Sequence, residues 1–145
     1  MKSVHILLVE DNEGDIILIT EALEDGKIKN TISIARNGWD AMQYLERKPG
    51  YEDAKMPDLI ILDINLPKLN GHEVLIKIKT NEHFKHIPVI ILTTSSSETD
   101  IYKAYKNHVN CYITKPVDVK NFINVITLIE NFWIAIVQIP NNTDH

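Results

Sequence analysis

The stretch that decides the fold is Leu59-Ile60-Ile61-Leu62-Asp63, four apolar residues followed at once by an acid. A short and wholly apolar run is typical of a β-strand that is buried on both faces. Similar runs lie at 4–9 and 89–92, and polar residues follow each of them as well. Strands of this kind belong to parallel sheets that helices cover on both sides, so the run predicts an α/β fold.

The rest of the chain alternates between short β-branched runs and amphipathic stretches. Runs at 31–35 and 111–113 complete a set of five candidate strands. A stretch with helical spacing follows each strand. The predicted core stripe is formed by Ile101, Ala104 and Tyr105 in the fourth of these stretches, and by Val119, Phe122, Ile126 and Ile129 in the last. A β–α unit repeated in this way predicts one parallel sheet with helices on both faces.

Composition excludes several classes of protein. The chain has 145 residues, 44% of them hydrophobic, and a net charge of −5, which suits one globular domain. A single cysteine, Cys111, allows no internal disulfide. The acidic balance argues against a nucleic-acid binder, because neutralising phosphates takes clustered Lys and Arg. No apolar run reaches the ~18 residues of a membrane span, and the start lacks a secretory cleavage site, so we expect a cytoplasmic protein without membrane contact.

Side chains that can bind ions or take part in reactions follow four of the five predicted strands. Glu10 and Asp11 follow the first strand, Asp63 the third, Thr93 the fourth and Lys115 the fifth. The carboxyl ends of parallel strands meet at one edge of the sheet, where open α/β sheets bind their ligands. We therefore expect these five side chains to converge on one site.

The expected site has the chemistry of a phosphoryl acceptor. Three carboxylates that lie close together repel one another and stay ionised only around a cation. Oxygen ligands without Cys or His nearby favour Mg²⁺. A carboxylate can act as a nucleophile and form an aspartyl phosphate. Mg²⁺, Lys115 and Thr93 would then position the transferred group and neutralise its oxygens.

The motifs at these strand ends resemble the receiver domain of two-component response regulators. The resemblance covers residues 4–131 and implies a flavodoxin-like (βα)5 fold with strand order 2-1-3-4-5. The motifs that carry it are Leu8-Val9-Glu10-Asp11, Leu62-Asp63-Ile64-Asn65-Leu66-Pro67 with Gly71, Leu92-Thr93, and Tyr112-Ile113-Thr114-Lys115-Pro116.

The resemblance also implies roles for the metal ligands and the nucleophile. Asp63 would be the phosphoacceptor, and a sensor histidine kinase would donate the phosphoryl group. Asp11 and Asp63 would bind Mg²⁺ through carboxylates, Asn65 through its backbone carbonyl, and Glu10 through a metal-bound water. We expect no turnover of an external substrate, only the protein's own phosphorylation and dephosphorylation.

A switch is implied by the same resemblance. Lys115 would pair with the phosphoryl group, and Thr93 would hydrogen-bond it. Tyr112 would turn inward as the Thr93 hydroxyl moves toward the phosphate, which alters the face built by the fourth helix, the fifth strand and the fifth helix. The bond between Lys115 and Pro116 is often cis in the family, and a cis form is expected here too.

The end of the chain resembles that of small single-domain regulators that partner phytochrome-type histidine kinases. The similar stretches are 108–115 and 129–133, with 137–140. Phe132 and Trp133 fall partly outside the apolar stripe that one domain needs, so they predict a homodimer contact. The alternative is that this tail folds back on its own domain. We expect a receiver domain at 1–131 and a helix extension with a polar tail at 132–145, with no fused output domain.

Three other functions stay open at this point. A phosphate sink or shuttle without its own effector would carry the same motifs. A haloacid-dehalogenase-like phosphatase also uses a strand-end aspartate, but it wants a second Asp where this chain has Asn65. A flavin-binding module of the same topology needs a loop that cradles phosphate after the first strand, where this chain has Glu10 and Asp11.

Overall fold

Five strands form where the apolar runs predict them. All neighbouring strands are parallel, and the sheet order is the expected 2-1-3-4-5. The strands are β1 (Val4–Val9), β2 (Asn30–Ala35), β3 (Leu59–Leu62), β4 (Val89–Thr93) and β5 (Cys111–Thr114).

A helix follows each strand, and each helix begins at a residue whose side chain caps it. The computed structural model describes residues 3–26 and 29–134. The capping side chains accept hydrogen bonds from otherwise unpaired backbone N–H groups of the first turn. They are, in chain order, Asn12, Asn37, Asn70, Ser97 and Asp118. The helices are α1 (Glu13–Glu24), α2 (Gly38–Leu45), α3 (Gly71–Lys79), α4 (Glu98–Lys106) and α5 (Val119–Ile129).

A π-helical turn, Glu130–Ile134, continues the chain directly after α5. This turn is the described beginning of the predicted extension 132–145. Residues 135–145, including the stretch 137–140 used in the sequence comparison above, lie outside the described residues. Within the described residues, no helix is long and apolar enough to cross a membrane.

The sheet separates two apolar cores. On one side α2, α3 and α4 pack against alternate residues of the central strands, with Leu7 and Ile60 among them. On the other side α1 and α5 cover the remaining ones, such as Leu8 and Ile61. Because helices cover both faces, the central strands β1, β3 and β4 are apolar except for His5 and Thr93, which explains why nearly continuous apolar runs mark them in the sequence.

Two residues predicted on helix core stripes are exposed. Val119, predicted as core-facing in α5, is 56% exposed, whereas Phe122, Ile126 and Ile129 are buried as expected. Tyr105 of α4 is 51% exposed, and Ala104 is the buried residue of that helix. Val119 is the first residue of α5, and the buried residues of that helix begin one turn later, at Phe122.

The strand register brings the expected site together. Val9 pairs with Leu62, Leu62 pairs with Ile91, and Thr93 pairs with Thr114. The residues that follow β1, β3 and β5, and the last residue of β4, therefore lie side by side at the carboxyl edge of the sheet.

Candidate phosphoryl-acceptor site

Three carboxylates meet at this edge. Glu10, Asp11 and Asp63 each offer an oxygen, and these oxygens all lie within 4.8 Å of one another. Glu10 and Asp63 are buried, whereas Asp11 is exposed to solvent. Three hard oxygen ligands at this spacing fit a divalent cation such as Mg²⁺, with Asp11 on the open side.

The ammonium of Lys115 is buried among the carboxylates. Its Nζ donates to Glu10 Oε1 at 2.6 Å, to Asp15 Oδ2 at 2.8 Å and to Asp63 Oδ2 at 3.2 Å. An ammonium carries three N–H groups, so these three bonds satisfy it completely. The backbone N–H of Lys115 donates to the carbonyl of Thr93 at 2.6 Å, which fixes the end of β5 beside β4.

Burial and charge shift the pKa values of this cluster. Burial raises the pKa of Glu10 to about 7; the Lys115 hydrogen bond opposes that rise, and the Asp63 charge adds to it. Burial alone would lower the pKa of Lys115, but hydrogen bonds to Asp15 and Glu10 and the charge of Asp63 raise it above its ordinary value. The cluster therefore holds more negative charge than one ammonium neutralises, and a cation would relieve it.

The carboxylate of Asp63 is oriented from both sides. The backbone N–H of Asn65 donates to Asp63 Oδ1 at 3.2 Å, and Lys115 donates to the other oxygen. The loop after β3 is held by the backbone N–H of Gly71, which donates to the carbonyl of Ile64 at 2.9 Å. Asn65 therefore lies beside Asp63, and a metal contact of its carbonyl stays a prediction.

Thr93 and Tyr112, the predicted switch pair, are both joined to Ser95. Thr93 is fully buried, and its Oγ1 accepts from the backbone N–H of Ser95 at 3.4 Å. Tyr112 is partly buried against the core, and its hydroxyl donates to the carbonyl of Ser95 at 2.8 Å. We call this arrangement inward: the Tyr112 ring packs against the core and its hydroxyl is bonded to the loop that follows β4. The expected cis form of the bond between Lys115 and Pro116 is wrong, because the described peptide bonds are all trans.

One contributor to the site, Asp15, was missed by the sequence analysis. It lies in the first turn of α1 and is the second-shortest contact of the Lys115 ammonium. A signal was available, because Asp15 is an acid in the first turn of the helix that begins directly after Glu10 and Asp11.

The two predicted dimer residues differ in their surroundings. Phe132 is 53% exposed, whereas Trp133 is partly buried and packs against the core between the sheet and helices α1 and α5. Their rings are in edge-to-face contact at 5.8 Å between centroids. Trp133 therefore folds back on its own domain, as in the alternative stated above. Phe132 is left open to solvent.

Comparison with known proteins identifies the family. The model of the response regulator receiver domain matches residues 6–127. Response regulator Rcp1 of Synechocystis sp. is 44% identical over 135 residues, which are 93% of this chain and 92% of that protein. The crystal structure of Mn²⁺-bound Rcp1 aligns with a TM-score of 0.93 at 43% identity, over 95% of this chain and 99% of that one.

A second solved structure is equally similar. The phosphorylated cyanobacterial phytochrome response regulator RcpA aligns with a TM-score of 0.94 at 44% identity, over 97% of this chain and 100% of that one. The family model covers the carboxylate cluster, Lys115 and the switch pair within one continuous match. The chain belongs to the response regulator receiver family.

Proposed function

We propose that this chain is a phosphorylation switch in which Asp63 accepts a phosphoryl group from a sensor histidine kinase. The observation that carries the proposal is the convergence of one oriented, buried carboxylate with a buried ammonium and two further acids. Asp63 is 6% exposed, and Lys115 reaches Asp63 and Glu10 at once. Such an arrangement offers a nucleophile together with the positive charge that phosphoryl transfer requires.

The transfer step can be written from these contacts. An Asp63 carboxylate oxygen forms a bond to phosphorus while the bond from phosphorus to the donor's imidazole nitrogen breaks, and the imidazole takes up a proton. One N–H of Lys115 passes from Asp63 to an oxygen of the transferred group. The hydroxyl of Thr93, at the end of β4, hydrogen-bonds another oxygen. The chain thereby promotes only its own phosphorylation and dephosphorylation.

Mg²⁺ is the cofactor that the site would take. The carboxylates of Glu10, Asp11 and Asp63 would hold it, with the backbone carbonyl of Asn65, and Glu10 would act through a bound water. The ion would supply positive charge opposite the transferred phosphoryl oxygens. The oxygen-only ligand set supports this proposal, and similar Rcp1 has been solved in a Mn²⁺-bound form.

The donor would be a phytochrome-type histidine kinase. Support comes from the overlap of this chain with RcpA, a phytochrome response regulator that has been solved in its phosphorylated form. The kinase and this chain would interact in the cytoplasm. The output would be the face formed by α4, β5 and α5, because Tyr112 lies on β5 and Ser95 precedes α4.

The proposed phosphoryl acceptor is tested by a small phosphoramidate donor with Mg²⁺, followed by intact-mass measurement. We expect the wild type to gain the mass of one phosphoryl group and Asp63→Asn to stay at background, because an amide cannot act as the nucleophile. Asp53→Asn, an exposed aspartate at the opposite end of the sheet, serves as the control and should label like the wild type. Equal labelling of wild type and Asp63→Asn would overturn the proposal.

A homodimer is the second proposed feature, with Phe132 at its contact. Leu128 is 64% exposed and Phe132 53% exposed, four residues apart near the end of the last helical segment. Residues at this spacing share one face, and exposed apolar faces of helices are commonly covered by a partner. Light scattering at micromolar concentration should give a dimer for the wild type and a monomer for Phe132→Ala. A wild-type monomer would contradict the dimer.

A further inference from the structure

A chain of hydrogen bonds outside the carboxylate site joins three elements. His72, in the first turn of α3, lies with its Nε2 3.0 Å from Asp100 Oδ1 in the first turn of α4. The other carboxylate oxygen of Asp100 accepts from the hydroxyl of Ser95, in the loop between β4 and α4, at 2.5 Å. We call these three residues, His72, Asp100 and Ser95, the loop latch.

The chemistry of the latch fixes which atoms donate. A carboxylate only accepts, so His72 donates from Nε2. His72 is 5% exposed, and its Nδ1 is buried without a hydrogen-bond partner among the described residues. Leaving a buried polar atom unpaired is unfavourable, so an imidazole is retained here at a cost that an aliphatic side chain would avoid. This cost points to a specific role for the bond to Asp100.

Charge supports the same bond. The hydrogen bonds from Ser95 and then from His72 lower the pKa of Asp100, so its carboxylate is ionised at neutral pH. Charge-assisted hydrogen bonds of this kind are stronger than neutral ones and define the position of the groups that make them. Ser95 is therefore held by a charged acceptor that is itself anchored to α3.

The latch reaches the switch pair through one residue. The side chain of Ser95 contacts Asp100, while its backbone N–H donates to Thr93 and its carbonyl accepts from Tyr112. Any displacement of Ser95 therefore moves the acceptor that keeps the Tyr112 hydroxyl inward.

We propose that His72 and Asp100 are positioning residues for the switch, which hold Ser95 where it keeps Tyr112 inward and so couple the phosphoryl site to the output face. The proposal rests on the function proposed above for Thr93 and Tyr112. The two residues touch neither the nucleophile nor the phosphoryl group. Their loss should leave phosphorylation of Asp63 intact and free the loop that follows β4.

The test compares Asp100→Asn with Asp40→Asn. Both aspartates are the third residue of a helix whose capping side chain bonds their backbone N–H, and both are partly exposed. Both variants therefore lose the same favourable charge at a helix N-terminus, but only Asp100→Asn breaks the latch. Hydrogen exchange of residues 93–100 is measured by mass spectrometry, and the Tyr112 ring is followed by NMR, with Asp63 labelling in parallel.

For Asp100→Asn we expect exchange in 93–100 to rise about tenfold, as for the loss of one charge-assisted hydrogen bond, together with a shifted Tyr112 ring signal. Labelling of Asp63 should stay within about twofold of the wild type, because no group that contacts the nucleophile changes. His72→Leu, which keeps the site filled, should give the same change, and the double variant no more than either alone. Asp40→Asn should leave 93–100 and Tyr112 unchanged.

Wild-type exchange and an unmoved Tyr112 signal in Asp100→Asn would overturn the latch, as would an equal change in Asp40→Asn. If His72→Leu does not fold, Asp100→Asn alone decides the outcome, because its side chain is only partly buried. Failure of wild-type labelling would overturn the proposed function instead. Exchange and the ring signal are read from unphosphorylated protein, so the two failures are distinguished.

Discussion

Replacing Lys115 with methionine should reduce phosphorylation of Asp63 by about 10²–10³-fold, the usual cost of removing one group that stabilises transition-state charge. The ammonium is buried and contacts Asp63 at 3.2 Å, and no other Lys, Arg or His side chain of the described residues forms an ion pair with Asp63. Neither solvent nor another side chain can therefore supply the missing positive charge. Methionine has a similar length and fills the same space without charge. The initial rate of labelling by phosphoramidate measures the effect.

The same substitution should also affect folding. Removing one partner of a buried ion pair leaves the carboxylates uncompensated, with an expected loss of about 3 kcal/mol in the free energy of unfolding. Glu10 limits the loss, because its pKa is already raised to about 7 and it can take up a proton. Urea denaturation should show that added Mg²⁺ restores part of the lost free energy of unfolding.

Lys79→Met is the matched control for both measurements. Lys79 is partly buried, but its Nζ donates to the backbone carbonyls of Lys85 and Ile87 and contacts no carboxylate in the part of the chain that the structure describes. Its replacement should label at the wild-type rate and respond little to Mg²⁺. Labelling of Lys115→Met at the wild-type rate would show that the ammonium has no part in transfer.

Gly71→Ala should destabilise the fold by about 2–3 kcal/mol and displace the Asp63 carboxylate, because an added methyl group meets the backbone of residues 63 and 64. A Cβ at Gly71 would clash with the carbonyl oxygen of Asp63 and lie 2.6 Å from the Cα of Ile64. Neither atom can withdraw without moving the loop that orients the Asp63 carboxylate. The free energy of unfolding, measured by urea denaturation, and the rate of Asp63 labelling should both fall.

Gly14→Ala provides the control for this substitution. Gly14 also lies in the first turn of a helix, but an added Cβ there meets only the side-chain oxygen of Asn12, at 3.3 Å. Alanine favours helix over glycine, so stability should stay the same or rise by up to about 1 kcal/mol. If Gly71→Ala matches Gly14→Ala in stability, the close approach of α3 to the β3 end is not a constraint.

The sheet could be predicted because burial on both faces leaves a direct mark in sequence. Apart from His5, the runs at 4–9, 59–62 and 89–92 are apolar without alternation, and helices cover both of their sides in the structure. Helix faces were less certain, because a helical period does not say where the sheet ends. Val119 and Tyr105 fit their apolar stripes in sequence, yet neither reaches the core.

The site could be predicted as far as topology decides it. The side chains of Glu10, Asp11, Asp63, Thr93 and Lys115 converge because strand ends meet at one edge, whatever their rotamers. Contacts that depend on the direction of individual side chains could not be predicted. Asp15 reaches Lys115 from a helix. His72 and Asp100, which are 28 residues apart in sequence, meet from two different helices.

Borohydride reduction of the phosphorylated wild type, followed by peptide mass spectrometry, identifies the residue that receives the phosphoryl group. Borohydride reduces an acyl phosphate of aspartate to homoserine, which marks the position that carried the phosphoryl group. We expect homoserine at position 63 and unmodified aspartate at 11 and 15. Homoserine at either of those positions, with Asp63 unmodified, would show that Asp63 is not the phosphoryl acceptor.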